Sequence, residues 1–239
     1  MKLTIDSEGF PRTHWSLLIK AGQGGRQELE LFCNAYWMPL YAFSRRKRND
    51  VEAAQDLVQS FLLAFLERDT LAHISPDGGR FRAYLLTSFK NYSVSQNRRE
   101  VAKKRGGEFQ HLSLDWLQAE KAYQVTDPTI DAESLYHRQW AFTLLRRVED
   151  MLGERYRVTR REALFEALRP ALRDVDVALD YDLIAEQLGM AKGALRVAVH
   201  RIRSRYAVML REEVMLLVDG VEDIDDELLE LLSAIRPTS

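Results

Sequence analysis

The sequence predicts an all-α protein: two helical domains joined by a linker, followed by an acidic tail. Three observations carry this. Apolar residues recur at three- and four-residue steps through most of the chain, no segment sustains the alternation of a strand, and Tyr181–Tyr206 has the residue order of a helix-turn-helix. Leu29, Phe32, Tyr36, Leu40 and Phe43 share one face of a first helix. Asp50 is placed to cap a second, whose inner face carries Ala54, Leu57, Val58, Phe61 and Phe65. Ser75-Pro76-Asp77-Gly78-Gly79 is a turn cluster. A third helix carries Phe81, Tyr84, Leu85, Phe89 and Tyr92, and its basic tail ends at Gly106-Gly107. The first domain is therefore read as 1–107.

The pattern weakens over 108–134, which is read as the linker. It resumes with Leu135, Trp140, Leu144, Leu145 and Val148, then Leu164, Phe165 and Leu168, until Pro170 perturbs or ends the helix. The second domain is read as 135–218, and 219–239 as the tail.

Composition bounds the function. The chain has 239 residues, 46% of them hydrophobic and 29% charged, enough apolar material for real cores. No run approaches the roughly 20 apolar residues of a membrane span, and MKLTIDSEGFPRTHW has no secretory h-region, so the expected compartment is the cytoplasm. Cys33 is the single cysteine and the five histidines lack ligand spacing, so neither a disulfide within the chain, a metal site nor a cofactor is expected. Gly22-Gln23-Gly24-Gly25 lacks the lysine of a phosphate loop and reads as a turn. No nucleophile–base pair or metal-binding carboxylate cluster marks an enzyme on nucleic acid, and none is expected.

The net charge of −2 hides an uneven distribution. From Arg80 to Arg105 the bases Arg80, Arg82, Lys90, Arg98, Arg99, Lys103, Lys104 and Arg105 face one acid, Glu100. From Lys192 to Arg211 there is no acid at all, and beyond Arg211 the chain turns acidic. Two basic segments with the acids placed elsewhere suit a polyanionic partner, although a pair of solvated helix faces has the same composition.

In Tyr181–Tyr206, Ile184, Ala185 and Leu188 form the apolar face of a first helix, and small Ala185 suits close helix approach. Gly189 stands where a left-handed residue ends it, and Leu195, Ala198, Val199 and Ile202 line a second helix. Its other face carries Lys192, Arg196, His200, Arg201 and Arg203, donors for phosphates and guanine edges.

Two further motifs resemble the bacterial sigma factors of RNA polymerase, of the extracytoplasmic-function (ECF) type. Ala54-Gln55-Asp56-Leu57-Val58-Gln59-Ser60-Phe61 is similar to the family's region-two D-A-x-D-L-x-Q-x-x-F helix, and Tyr84-Leu85, Asn91 and Arg98-Arg99 to its W-L…N…R-R pattern. Phe10-Pro11-Arg12-Thr13-His14-Trp15, Ala35-Tyr36-Trp37-Met38-Pro39-Leu40-Tyr41, Gly79-Arg80-Phe81-Arg82 and the acidic, leucine-rich tail resemble a long-chain ECF subgroup. The likeness runs from about Phe10 to Ile235. Ala53, Tyr84 and Ser95 depart from the family pattern.

The resemblance implies a region-two bundle and a region-four helix-turn-helix. It implies that Gln55, Asp56 and Gln59 face the beta-prime clamp helices of the RNA polymerase core. It implies that Lys90, Asn91, Tyr92, Arg98 and Arg99 take the promoter element nearest the start site, with Lys103, Lys104 and Arg105 holding phosphates. Region four would then place its second helix in the upstream promoter element. The implied partners are core polymerase and promoter DNA, with an anti-sigma factor as a further partner open to such a protein. A helix-turn-helix regulator acting without the polymerase is the competing reading. Arg45-Arg46-Lys47-Arg48 reads either as a DNA- or nucleotide-facing group or as a solvated helix end. The tail reads either as a helix completing the C-terminal core or as a lid on the basic helix.

Overall fold

The computed structural model describes residues 26–47, 49–66, 81–100, 114–173, 179–216 and 223–236, and for 26–31 and 97–100 the helical backbone alone. Among the described residues there are ten helices and no strand: α1 Arg26–Arg46, α2 Val51–Phe65, α3 Phe81–Glu100, α4 Trp116–Gln124, α5 Ala132–Val158, α6 Glu162–Leu168, α7 Pro170–Arg173, α8 Tyr181–Leu188, α9 Lys192–Met215 and α10 Asp223–Ile235. The fold is all-α. None of these helices is long and apolar enough to cross a membrane. Phe10–Trp15, the glycine turn at 22–25, Ser75–Arg80 and Gly106-Gly107 lie outside the described residues.

The chain divides into two compact units. One holds the residues up to Ala141 together with those from Met215 onward; the other is Phe142–Val214. The core of the first unit is aromatic, because helical spacing delivers a ring from each of α1, α2 and α3 to one place. Phe32 stacks on Phe65 at 5.9 Å and meets Phe81 edge-on, while Phe61 meets Phe89 at 5.0 Å. Rings prefer such tilted and offset contacts because the positive edge of one meets the negative face of another. Asp50 caps α2, its carboxylate accepting the Ala53 N–H at 2.7 Å.

The expected linker, 108–134, is described from residue 114 onward and is helical there in part. Its described part forms α4 and the first turn of α5. Trp116 packs edge-on against Trp37 at 5.2 Å and tilts against Tyr41 at 5.7 Å. Glu120 accepts a hydrogen bond from the Tyr41 hydroxyl at 2.5 Å and two from Arg45 at 2.8 and 2.9 Å. Arg46 donates to the carbonyls of Asp127 and Pro128 and to Thr126 Oγ1, and both guanidinium groups lie over the Tyr123 ring. Arg45 and Arg46 therefore neither face a ligand nor cap a solvated helix end. They hold α4 and the following turn onto α1; Arg48 lies outside the described residues.

The acidic tail is also part of the first unit. α10 buries Ile224, Glu227 and Leu231, and Glu227 is only 1% exposed. Its partner is Arg82 at the start of α3, buried to 6% exposure, with Nε 2.9 Å from Glu227 Oε1. Arg82 also pairs with Glu230, donates to His137 Nδ1 at 3.2 Å and lies 4.8 Å from the Trp140 ring centre. Tyr136 donates its hydroxyl to the Arg82 carbonyl at 3.1 Å. Within the first unit the tail therefore has a partner of its own in Arg82. A buried carboxylate needs a buried cation, and Arg82 supplies it.

In the second unit Val148, Leu152, Leu164, Phe165, Leu168, Leu195 and Ile202 form the core. Gly153 lets the Phe165 ring lie against α5: a Cβ there would stand 2.9 Å from Phe165 Cε1. Pro170 ends one helix and opens another, occupying the first position of α7, where its missing N–H costs nothing. Glu149 is buried and accepts hydrogen bonds from Arg173 at 2.8 and 3.1 Å and from Arg169. Burial would raise its pKa, but the two arginines outweigh this and hold the carboxyl below its ordinary value.

Candidate nucleic-acid interface

α8 and α9 are joined by the short turn 189–191. Asp180 caps α8 by accepting the N–H groups of Asp182 and Leu183 at 3.1 and 3.0 Å. Gly189 ends it at φ 60° and ψ 33°, in the left-handed region, and the Met190 N–H donates to the Ala185 carbonyl at 2.9 Å. No atom lies within 4 Å of where a Cβ on Gly189 would sit, so a substitution there meets only backbone strain. Gly189→Ala is expected to lower the stability of the second unit by about 1 kcal/mol, read as a lower midpoint in denaturant unfolding.

The turn sets α9 so that Leu195, Ala198, Val199 and Ile202 are buried, as their spacing requires. Lys192, Arg196 and His200 recur every four residues and are exposed on one stripe, with Arg201 exposed beside them. Lys192 forms an ion pair with Asp182 of α8; both side chains are well exposed, so the pair is weak and leaves the ammonium available to a stronger anion. The Arg196 guanidinium lies 5.8 Å from the Tyr181 ring centre, which limits its rotamers. The stripe presents donors on one face of α9, whose residues 192–211 include no acid.

Arg203 does not belong to this surface. It is half-buried, and its Nε donates to the Ala171 carbonyl at 2.9 Å, one residue along from the buried Ile202. It caps the end of the α6–α7 segment. Two further exposed residues extend the stripe: Arg205, one turn after Arg201, and Val197, 47% exposed beside Arg196. The four-residue step from Arg201 is the signal for Arg205.

In α3, Phe81, Leu85, Leu86 and Phe89 are buried in the first unit. Lys90 is tied to Glu133 of α5 at 2.6 Å. Asn91 is exposed. Tyr92 is half-buried, its ring edge-on to Phe61 at 5.5 Å and its hydroxyl accepting from Gln96 at 2.5 Å. Arg98 and Arg99 lie on the helical backbone of α3, but their side chains lie outside the described residues, as do Lys103, Lys104 and Arg105.

On α2, Asp56 is exposed and Gln55 half-buried, but Gln59 is 9% exposed. The inner face of α2 is wide, taking in Val58, Gln59, Phe61 and Leu62 together, so Gln59, one turn from Gln55 and Asp56, has little surface left to offer a partner. Leu57, expected inside, is half-buried. Among the described residues no group of three or more metal-binding side chains comes together. Comparison with protein-family models, curated proteins and solved structures gave no match.

Proposed function

We propose that the chain is a sigma factor of the ECF type, a cytoplasmic, non-enzymatic protein that directs bacterial RNA polymerase core to promoters. The observation that carries the reading is the α8–turn–α9 element. Its second helix buries one apolar face and turns an acid-free stripe of Lys192, Arg196, His200 and Arg201 outward. A helix of this diameter fits the major groove, where such donors read guanine edges and phosphates. The resemblance of α2 and α3 to region two supplies the rest. The first unit binds the core through a surface that includes Asp56 and Gln55, and takes the start-site element through Asn91, Tyr92, Lys90 and the basic run 98–105. Gln59 and Arg203 have no part in these contacts.

The test compares binding to promoter fragments with and without core polymerase. A sigma factor needs the core for tight promoter binding, whereas a free-standing regulator binds an operator alone. In the complex, Arg196→Ala is expected to weaken recognition of the upstream element by roughly 1–3 kcal/mol, with discrimination lost at one base-pair position. A uniform loss across all sequences makes Arg196 a phosphate contact instead.

A further inference from the structure

A cavity of about 370 Å³ opens in the first unit between the start of α5 and the end of α10. Its lining is rich in donors. Arg82, Arg138 and Arg236 bring three guanidinium groups and Glu230 the one carboxylate of the lining, while the Ser134 and Ser233 hydroxyls donate away from it, to Asp131 Oδ2 at 2.5 Å and to the Leu229 carbonyl at 2.8 Å. His137 is a donor as well: its Nδ1 accepts from Arg82, so the imidazole is neutral and carries its proton on Nε2. Burial and the neighbouring Arg82 both favour that neutral form.

The single carboxylate is the one that can leave. Arg82 is held from behind by Glu227, which is fully buried, so the guanidinium stays in place whatever Glu230 does. Glu230 occupies the Arg82 NH2 group from the cavity side with half its side chain in water. Ile130 and Ala234 add an apolar wall.

We propose that this cavity is a binding site for a small molecule carrying a terminal phosphate group, and that Glu230 holds the place of that phosphate when the site is empty. Three guanidinium groups carry more charge than one carboxylate answers, and they match the three oxygens and double charge of a phosphate monoester. Guanidinium forks suit those oxygens two at a time. A phosphodiester in a nucleic-acid backbone offers only two free oxygens and one charge. The volume is that of a small-molecule pocket. This site is independent of the sigma reading.

The test is calorimetric titration of the full chain with inorganic pyrophosphate and with phenyl phosphate at constant ionic strength, and with a short single-stranded oligonucleotide as the diester arm. Saturable one-site binding with Kd below about 1 mM is expected for both probes with a terminal phosphate group and not for the oligonucleotide. The paired variant Arg138→Ala with Arg236→Ala is expected to weaken binding at least tenfold, and Glu230→Gln to tighten it several-fold by removing the internal competitor. Absence of saturation at about 10 mM overturns the proposal. So does an unchanged affinity in the arginine variant, an unchanged or weaker affinity in Glu230→Gln, or binding of the oligonucleotide alone. The arginine substitutions sit at the rim, and an unchanged thermal midpoint in the variant separates lost binding from lost folding.

Discussion

Glu227→Ala is expected to lower the stability of the first unit by about 3 kcal/mol, although residue 227 lies near the C-terminus and most of that unit is N-terminal. Arg82 is almost wholly buried and Glu227 is its innermost counter-ion. Removing the carboxylate leaves a cation in a low-dielectric site with only half-exposed Glu230, neutral His137 and the Trp140 face to compensate. Such a stranded charge costs more than the intact pair contributes, because each ion had to be desolvated to form it. The paired replacement Arg82→Met with Glu227→Leu should therefore recover most of the loss. The check is denaturant unfolding followed by a probe in each unit. The transition of the first unit moves and that of Phe142–Val214 stays. Equal movement of both, or no rescue by the double variant, contradicts the assignment.

Glu120→Gln is expected to cost on the order of 2 kcal/mol at neutral pH and progressively less in acid. Hydrogen bonds from Arg45 act first, against the cost of burial and with help from the Tyr41 hydroxyl, to hold the Glu120 pKa at about 2 instead of 4.5. A carboxyl depressed by folding stabilises the native state fully above its unfolded pKa, and that contribution fades as pH falls from 4.5 toward 2. The difference between wild type and variant should thus be full at pH 7 and largely gone near pH 2. A difference that does not change with pH would mean that Glu120 acts through packing and not through its charge.

The local parts of this fold are legible in the sequence. Asp50 as a cap, Gly189 as a left-handed stop and Leu195, Ala198, Val199 and Ile202 as a buried face all depend on residues within a few turns of one another, so spacing alone predicts them. The long-range parts are not legible in this way. α4 is a nine-residue helix whose order comes from Trp37, Tyr41 and Arg45 of α1, roughly 75 positions earlier, so its own pattern is weak and reads as a linker. Glu227 looks like one more solvated acid until Arg82, 145 positions away, is brought beside it. The candidate site divides along the same line. Lys192, Arg196, His200 and Arg201 are exposed because helical phase decides it. Arg203 is lost to the Ala171 carbonyl, and Gln59 to a buried face wider than the apolar residues alone define.

Run-off transcription with bacterial core polymerase on fragmented genomic DNA separates a sigma factor from a free-standing regulator. Discrete transcripts are expected only when the chain is added, and they should weaken when Arg196→Ala replaces it. A folded chain that neither binds core nor yields any such transcript, while still binding duplex DNA alone, contradicts the sigma-factor reading and leaves a helix-turn-helix regulator in its place.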